Sequence, residues 1–209
     1  MKFFKINKED EILKDKKLNQ QEGEYSTNFR SILSFFLELI KIVIISLAII
    51  IPIRAYVAQP FYVEGASMEP NFYDKEYLIV NEIGYRFTKP ERGEVVIFRP
   101  PNNYKVYYIK RIIGLPNETV EIKDNQIKIY NAENPDGFIL DESQYLKKES
   151  FYPTEEIKIN LESEQYFVLG DNRRNSLDSR RLGPINFTNI KGQVFLRALP
   201  FSRFTIFTN

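Results

Sequence analysis

The chain has 209 residues, enough for one domain with some length to spare, and it contains neither His nor Cys. Disulfides, thiolate nucleophiles, imidazole bases and the usual transition-metal ligands are thereby excluded, so a covalent enzyme of this composition must draw its nucleophile from Ser, Thr, Lys, Tyr or a carboxylate. The 29 Lys and Arg against 28 Asp and Glu leave +1, a balance that excludes electrostatic nucleic-acid binding.

Residues 1–30 are polar and mixed in charge. Lys2, Lys5, Lys8, Lys14, Lys16 and Lys17 stand against Glu9, Asp10, Glu11, Asp15, Glu22 and Glu24, with few residues able to build a core. The texture then changes abruptly, and 31–58 reads as a transmembrane anchor. The uncharged run Ile42–Ile53 is short for a span of about 20 residues. Lys41 and Arg54 bracket it and can snorkel, and Glu38 lies three residues from Lys41, so the apolar helix extends over roughly Phe35–Val57. A core helix or a cleaved leader is the alternative. A leader places its apolar run nearer the N-terminus, and Ala55-Tyr56-Val57-Ala58 is a poor cleavage site. Lys14, Lys16, Lys17 and Arg30 precede the span, whereas Lys75 stands alone beyond Arg54 until Arg86. That bias predicts a single pass with the N-terminus inside.

Residues 59–209 read as a β-rich domain. Runs at 76–83, 93–99, 104–113, 119–123, 126–130, 156–161, 165–170 and 192–198 are rich in Val, Ile, Tyr and Phe, and Pro, Gly, Asn or Asp separates them. No helical period of comparable length appears among them. The pattern predicts an all-β fold, mainly antiparallel, with coiled and partly barrel-like sheets. Residues 131–155 are more polar and form an irregular excursion.

Three places could hold chemistry. The strand period puts Val106, Tyr108, Lys110 and Ile112 on one face, so Lys110 is either an edge residue whose stem lies along the surface or a buried amine of lowered pKa. Ser67 sits in Val63-Glu64-Gly65-Ala66-Ser67-Met68-Glu69-Pro70, where small residues let another backbone approach; alone, it is an ordinary serine in a glycine-containing loop. Gly170 to Arg180 is a dense polar loop after an apolar strand. Arg173 occupies a position where a calcium loop requires oxygen, which excludes that reading.

The order of these blocks is more telling than any one of them. Ser67-Met68-x-Pro70, Arg92-Gly93-x-Val95-Val96-x-Phe98, Tyr108-Ile109-Lys110-Arg111-x-x-Gly114-Leu115-Pro116 and Gly170-Asp171-Asn172-Arg173-x-x-Ser176-x-Asp178-Ser179-Arg180, behind an N-terminal anchor, resemble bacterial type I signal peptidases over roughly residues 40–207. The resemblance implies a membrane-bound serine endopeptidase that removes signal peptides from exported preproteins after small residues, without metal or organic cofactor. It assigns Ser67 as nucleophile and Lys110 as general base. Ser176 is implied to orient the amine, and Asp178 and Arg180 to form a supporting ion pair. The oxyanion falls to the Ser67 N–H, with Gly65 at the position where some members carry a second donor. Phe61, Val63, Met68, Tyr108 and Ile109 are implied to contact substrate. The expected partners are preprotein signal peptides and the lipid bilayer, without nucleic acid, for a monomer in the bacterial cytoplasmic membrane whose β domain is extracytoplasmic. A Ser/Lys pair also accounts for a serine protease with no histidine.

Overall fold

The computed structural model describes residues 34–51, 58–146 and 156–207. The expected polar tail, the residues of the anchor on either side of 34–51 up to residue 57, and residues 147–155 of the excursion lie outside these. Two compact units separate near Pro52.

The first unit contains α1 (Ser34–Ile51), an 18-residue helix whose charged residues are Glu38 and Lys41. At 1.5 Å per residue it is about 27 Å long, close to the thickness of a bilayer's hydrocarbon layer. Its large apolar side chains, Phe35 through Ile51, are exposed.

The second unit is built of β1 (Ala58–Tyr62), β2 (Tyr77–Asn81), β3 (Val95–Phe98), β4 (Tyr108–Gly114), β5 (Thr119–Lys123), β6 (Gln126–Tyr130), β7 (Phe138–Ile139), β8 (Ile157–Asn160), β9 (Gln165–Leu169), α2 (Ser179–Leu182), β10 (Ile185–Asn186), β11 (Ile190–Leu199) and β12 (Thr205–Ile206). One sheet runs β1-β2-β11-β3-β4-β9-β10 with β12 added to β11, and a smaller one runs β7-β6-β5-β8. Every pairing among the described strands is antiparallel. Register shifts interrupt β11 against β2 and β3 and β4 against β9, and such bulges add the twist that coils a sheet.

Alternation explains both sheets. In β5 and β6, Val120, Ile122, Ile127 and Ile129 are buried while the residues between them are not, and Asp124 and Asn125 close the hairpin with φ of 50° and 61°. Asp and Asn tolerate the left-handed region that a two-residue hairpin turn demands. In β3 all four residues are buried because both faces are covered. Val95 and Ile97 join Val63, Met68, Phe72, Leu78, Val80 and Ile109, whereas Val96 and Phe98 join Ile112, Tyr166, Val168 and Ile185. A third cluster packs the small sheet against Ile113, Phe167 and Leu169.

Two departures from the sequence reading affect the site. The strand expected over 104–113 begins only at Tyr108, and Tyr104–Tyr107 form a turn instead. Strand β1 begins at Ala58, the last residue of the expected anchor, and contains Pro60. It is an edge strand of its sheet, where a missing N–H is tolerated.

Candidate active site

Ser67 lies in the turn that follows β1. Its place is set from two sides. Gly65 turns the chain with φ of 88°, and its N–H donates to Asp74 Oδ1 at 2.8 Å. From the other side, the loop after β9 reaches across: Asn172 N–H donates to the Ser67 carbonyl (3.0 Å), Asn172 Nδ2 donates to the Ala66 carbonyl (3.0 Å), and Asp171 N–H approaches Met68 Sδ (3.5 Å). Gly170 makes this approach possible. A Cβ there would run into the Ser176 side chain and the Ser67 carbonyl oxygen.

Lys110 comes from the middle of β4, where Val96 is its partner across the ladder. Its Nζ lies 2.7 Å from Ser67 Oγ and donates to the Ile109 carbonyl, also at 2.7 Å. The residue is 3% exposed, so the surface-snorkelling alternative is discarded. Burial lowers the amine from its ordinary value to about 8, against the opposing charges of Asp178 and Asp171. A separation of 2.7 Å serves the amine as donor when protonated and as acceptor of the hydroxyl hydrogen when neutral. The pair is therefore competent for proton transfer from a serine without imidazole.

Behind the pair lies a buried ionic frame. Asp178, fully buried, accepts from Arg180 Nε and Nη2 at 2.8 Å each and from the Gly170 N–H at 3.1 Å. Burial alone would raise this carboxyl, but the Arg180 fork and the Gly170 donor outweigh it and hold the group below its usual range. Arg111 forks onto Asp171 at 2.8 and 2.6 Å, and Arg173 forks onto Glu142 at 2.8 and 2.5 Å while donating to the Gly170 carbonyl at 3.1 Å. Glu142 belongs to the excursion, so part of that irregular segment buttresses the loop carrying Gly170 and Asp171. Among the described residues no cluster of metal-ligating side chains occurs.

A cavity of about 440 Å³ opens beside Ser67 and Lys110, and Phe61, Val63, Tyr108 and Ile109 are among the residues that line it. Three expectations require correction. Met68 is 1% exposed and absent from that lining; it packs in the core with its sulfur against Asp171. The Gly65 N–H is engaged by Asp74 and is not free to meet an oxyanion. The Ser67 N–H, by contrast, has no acceptor among the described residues. Ser176 Oγ is buried beside Gly170 on the Asp178 side, and the amine's second contact is the Ile109 carbonyl instead.

Sequence reasoning missed several wall residues. Tyr107, Val106 and Leu177 also line the cavity. Tyr107 packs edge-on against Phe61 (centroids 5.1 Å apart) and is fixed by Arg99, which donates to its hydroxyl at 2.6 Å. Leu177 offered a legible signal, as an apolar residue inside an otherwise polar loop that stays 43% exposed.

Comparison with known proteins finds a matching family and relatives over most of the chain. A family model described as signal peptidase, peptidase S26, matches residues 36–199. The probable signal peptidase I-2 of Synechocystis is 35% identical over 83% of this chain and 78% of the relative. A signal peptidase I of Bacillus amyloliquefaciens is 33% identical over 81% of this chain and 91% of the relative, and signal peptidase I S of Bacillus subtilis 33% over 79% and 90%. A crystal structure of a signal peptidase I from Enterococcus faecalis superposes with a TM-score of 0.42 at 31% identity, covering 51% of this chain and 97% of that one.

Proposed function

The chain belongs to the signal peptidase family, peptidase S26, and we propose that it is a membrane-bound serine endopeptidase cleaving signal peptides from exported preproteins after small residues with Ser67 and Lys110. The observation that carries this reading is the 2.7 Å contact between a buried lysine amine and a serine hydroxyl on the wall of an apolar cavity. In the proposed cycle neutral Lys110 accepts the Ser67 proton as Oγ attacks the scissile carbonyl, and the Ser67 N–H meets the developing oxyanion. The lysine then passes its proton to the leaving amine. Water, activated by the same amine, hydrolyses the acyl-enzyme and restores the hydroxyl. Phe61, Val63, Tyr108 and Ile109 supply apolar walls for short side chains ahead of the cut.

α1 is proposed as the anchor, crossing the bacterial cytoplasmic membrane once with the N-terminus inside and the β domain outside, in a monomer that needs no cofactor and no nucleic acid. The full chain in detergent, given a preprotein with alanine one and three residues before the cut, is expected to release the mature protein with a single N-terminus. A bulky residue at the first of those positions is expected to abolish release. If wild type leaves the preprotein intact, the reading fails, and a tethered peptide-binding β domain takes its place.

The pH dependence has a fixed sign. Only the neutral amine can accept a proton, so the rate is expected to rise with pH through about 8 and hold on the alkaline side. Asp178→Asn removes a charge that holds the proton on Lys110, and is expected to move the midpoint to lower pH. Steady-state rates across neutral to alkaline pH check both, and a rate that falls over this range with the fold intact rules Lys110 out as the base.

A further inference from the structure

A second cavity, of about 390 Å³, shares no lining residue with the first. Three arginines, Arg111, Arg197 and Arg203, face it together with Phe72, Phe207 and Tyr145. Arg111 is matched by Asp171. Arg197 and Arg203 share one carboxylate: Arg197 Nε lies 2.8 Å and Arg203 Nη1 2.6 Å from the two oxygens of Glu76, itself 2% exposed. Three guanidiniums thus meet two carboxylates, leaving one positive charge in excess in a largely desolvated place.

The donors are not used up. The Arg197 guanidinium is held between the Phe72 and Phe207 rings, 5.0 and 5.4 Å from their centroids, and its side chain is 7% exposed. Its Nη2 donates to the Asn71 carbonyl at 2.5 Å, its Nε is taken up by Glu76, and its Nη1 has no acceptor among the described residues. Burial lowers this guanidinium from its ordinary value; Glu76 opposes that, and the neighbouring charge of Arg203 adds to it. A buried cation with an idle donor, with a second cation beside it on the wall of the same cavity, is a place that gains from a small anion. Paired guanidiniums match the several acceptor oxygens of a tetrahedral anion better than the two of a carboxylate.

We propose that this cavity binds a phosphate group, with Arg197 and Arg203 donating to its oxygens. The phosphate is either a free ion or the head of a phospholipid. Favouring the second source, Arg203 stands in sequence between Phe201 and Phe204, which are 82% and 54% exposed, in a chain that carries an apolar helix of membrane-spanning length.

The test uses the full chain in a phosphate-free sugar detergent, with thermal melting followed by far-UV circular dichroism. Inorganic phosphate is expected to raise Tm saturably, by about 5 °C at a hundredfold excess over its dissociation constant, where chloride or acetate of equal ionic strength does not. Arg203→Gln is expected to abolish the rise. Arg203, a third exposed, tolerates the change, and Arg203→Lys is expected to restore part of the rise. A soluble short-chain phosphatidylglycerol forms the second arm. A rise at lower concentration than inorganic phosphate assigns the site to headgroups, and a rise with inorganic phosphate alone assigns it to the free ion. No saturable rise with either, or one that acetate reproduces or Arg203→Gln retains, overturns the proposal. Peptide cleavage is not the readout, so the result stands apart from the proposed activity.

Discussion

Ser67→Ala is expected to lower kcat/KM for preprotein cleavage by about 10⁴-fold or more, and Lys110→Met by a similar factor, because each removes one half of a unit that has no other base. The two losses are not additive; the double variant is expected to be no worse than either single one. Stability separates lost chemistry from lost structure. In the unfolded chain Lys110 keeps its proton up to its ordinary value of 10.5, whereas in the fold it gives it up near 8. Below about pH 8 both states are protonated, and the fold carries the whole desolvation cost of about 3 kcal/mol. Between those values the cost shrinks, and above them it is gone. Lys110→Met is therefore expected to be inactive yet more stable at neutral pH, by up to about 3 kcal/mol less the hydrogen bonds given up, with the gain fading toward pH 10. Urea unfolding across that range measures it. An active Lys110→Met, or one whose stability change ignores pH, contradicts a buried amine acting as the base.

Gly170→Ala is expected to lower kcat/KM by about 10²-fold while costing about 1–3 kcal/mol in stability. The added methyl would meet the Ser176 side chain and the Ser67 carbonyl oxygen, and the latter is backbone that cannot rotate aside. Relief requires the loop to draw back from the Ser67 turn, which lengthens the Asn172 N–H bond to that carbonyl and shifts Ser67 from the amine. Cleavage assays beside thermal melts separate the two effects. A wild-type rate combined with a lowered Tm would show that the close packing at Gly170 has no hold on Ser67.

Much of the β architecture was legible because half-buried strands alternate and doubly covered ones read as apolar runs. β5 and β6 carry the expected bounds, since Val120, Ile122, Ile127 and Ile129 all fall on one face around an Asp-Asn turn. β1 was hidden by Pro60 and by its closeness to an apolar span, and β7, β10 and β12 are two residues each, too short to carry a period. Within the site, Ser67 and Lys110 are individually silent and become legible only through the order of four blocks. Which group takes a given donor is a matter of tertiary contact, and there the sequence misled. Nothing local says that Asp74 claims the Gly65 N–H, or that the Met68 sulfur turns inward to Asp171. Arg111 and Asp171 both stand in the quoted blocks, but their pairing spans 60 positions and has no local signature.

The bonds that seat Ser67 come from residues about a hundred positions later, as with Met68 and Asp171, 103 apart in sequence. A ribosome-bound fragment that stops short of residue 170 lacks both Asn172, which latches the Ser67 and Ala66 carbonyls, and the Asp178–Arg180 brace. Such a fragment owns Ser67 without its seat. Long-range closure of this kind is slow and comes late in folding. The Ser67–Lys110 contact is thus expected only once the loop of residues 170–180 has been made and has folded back onto the Ser67 turn.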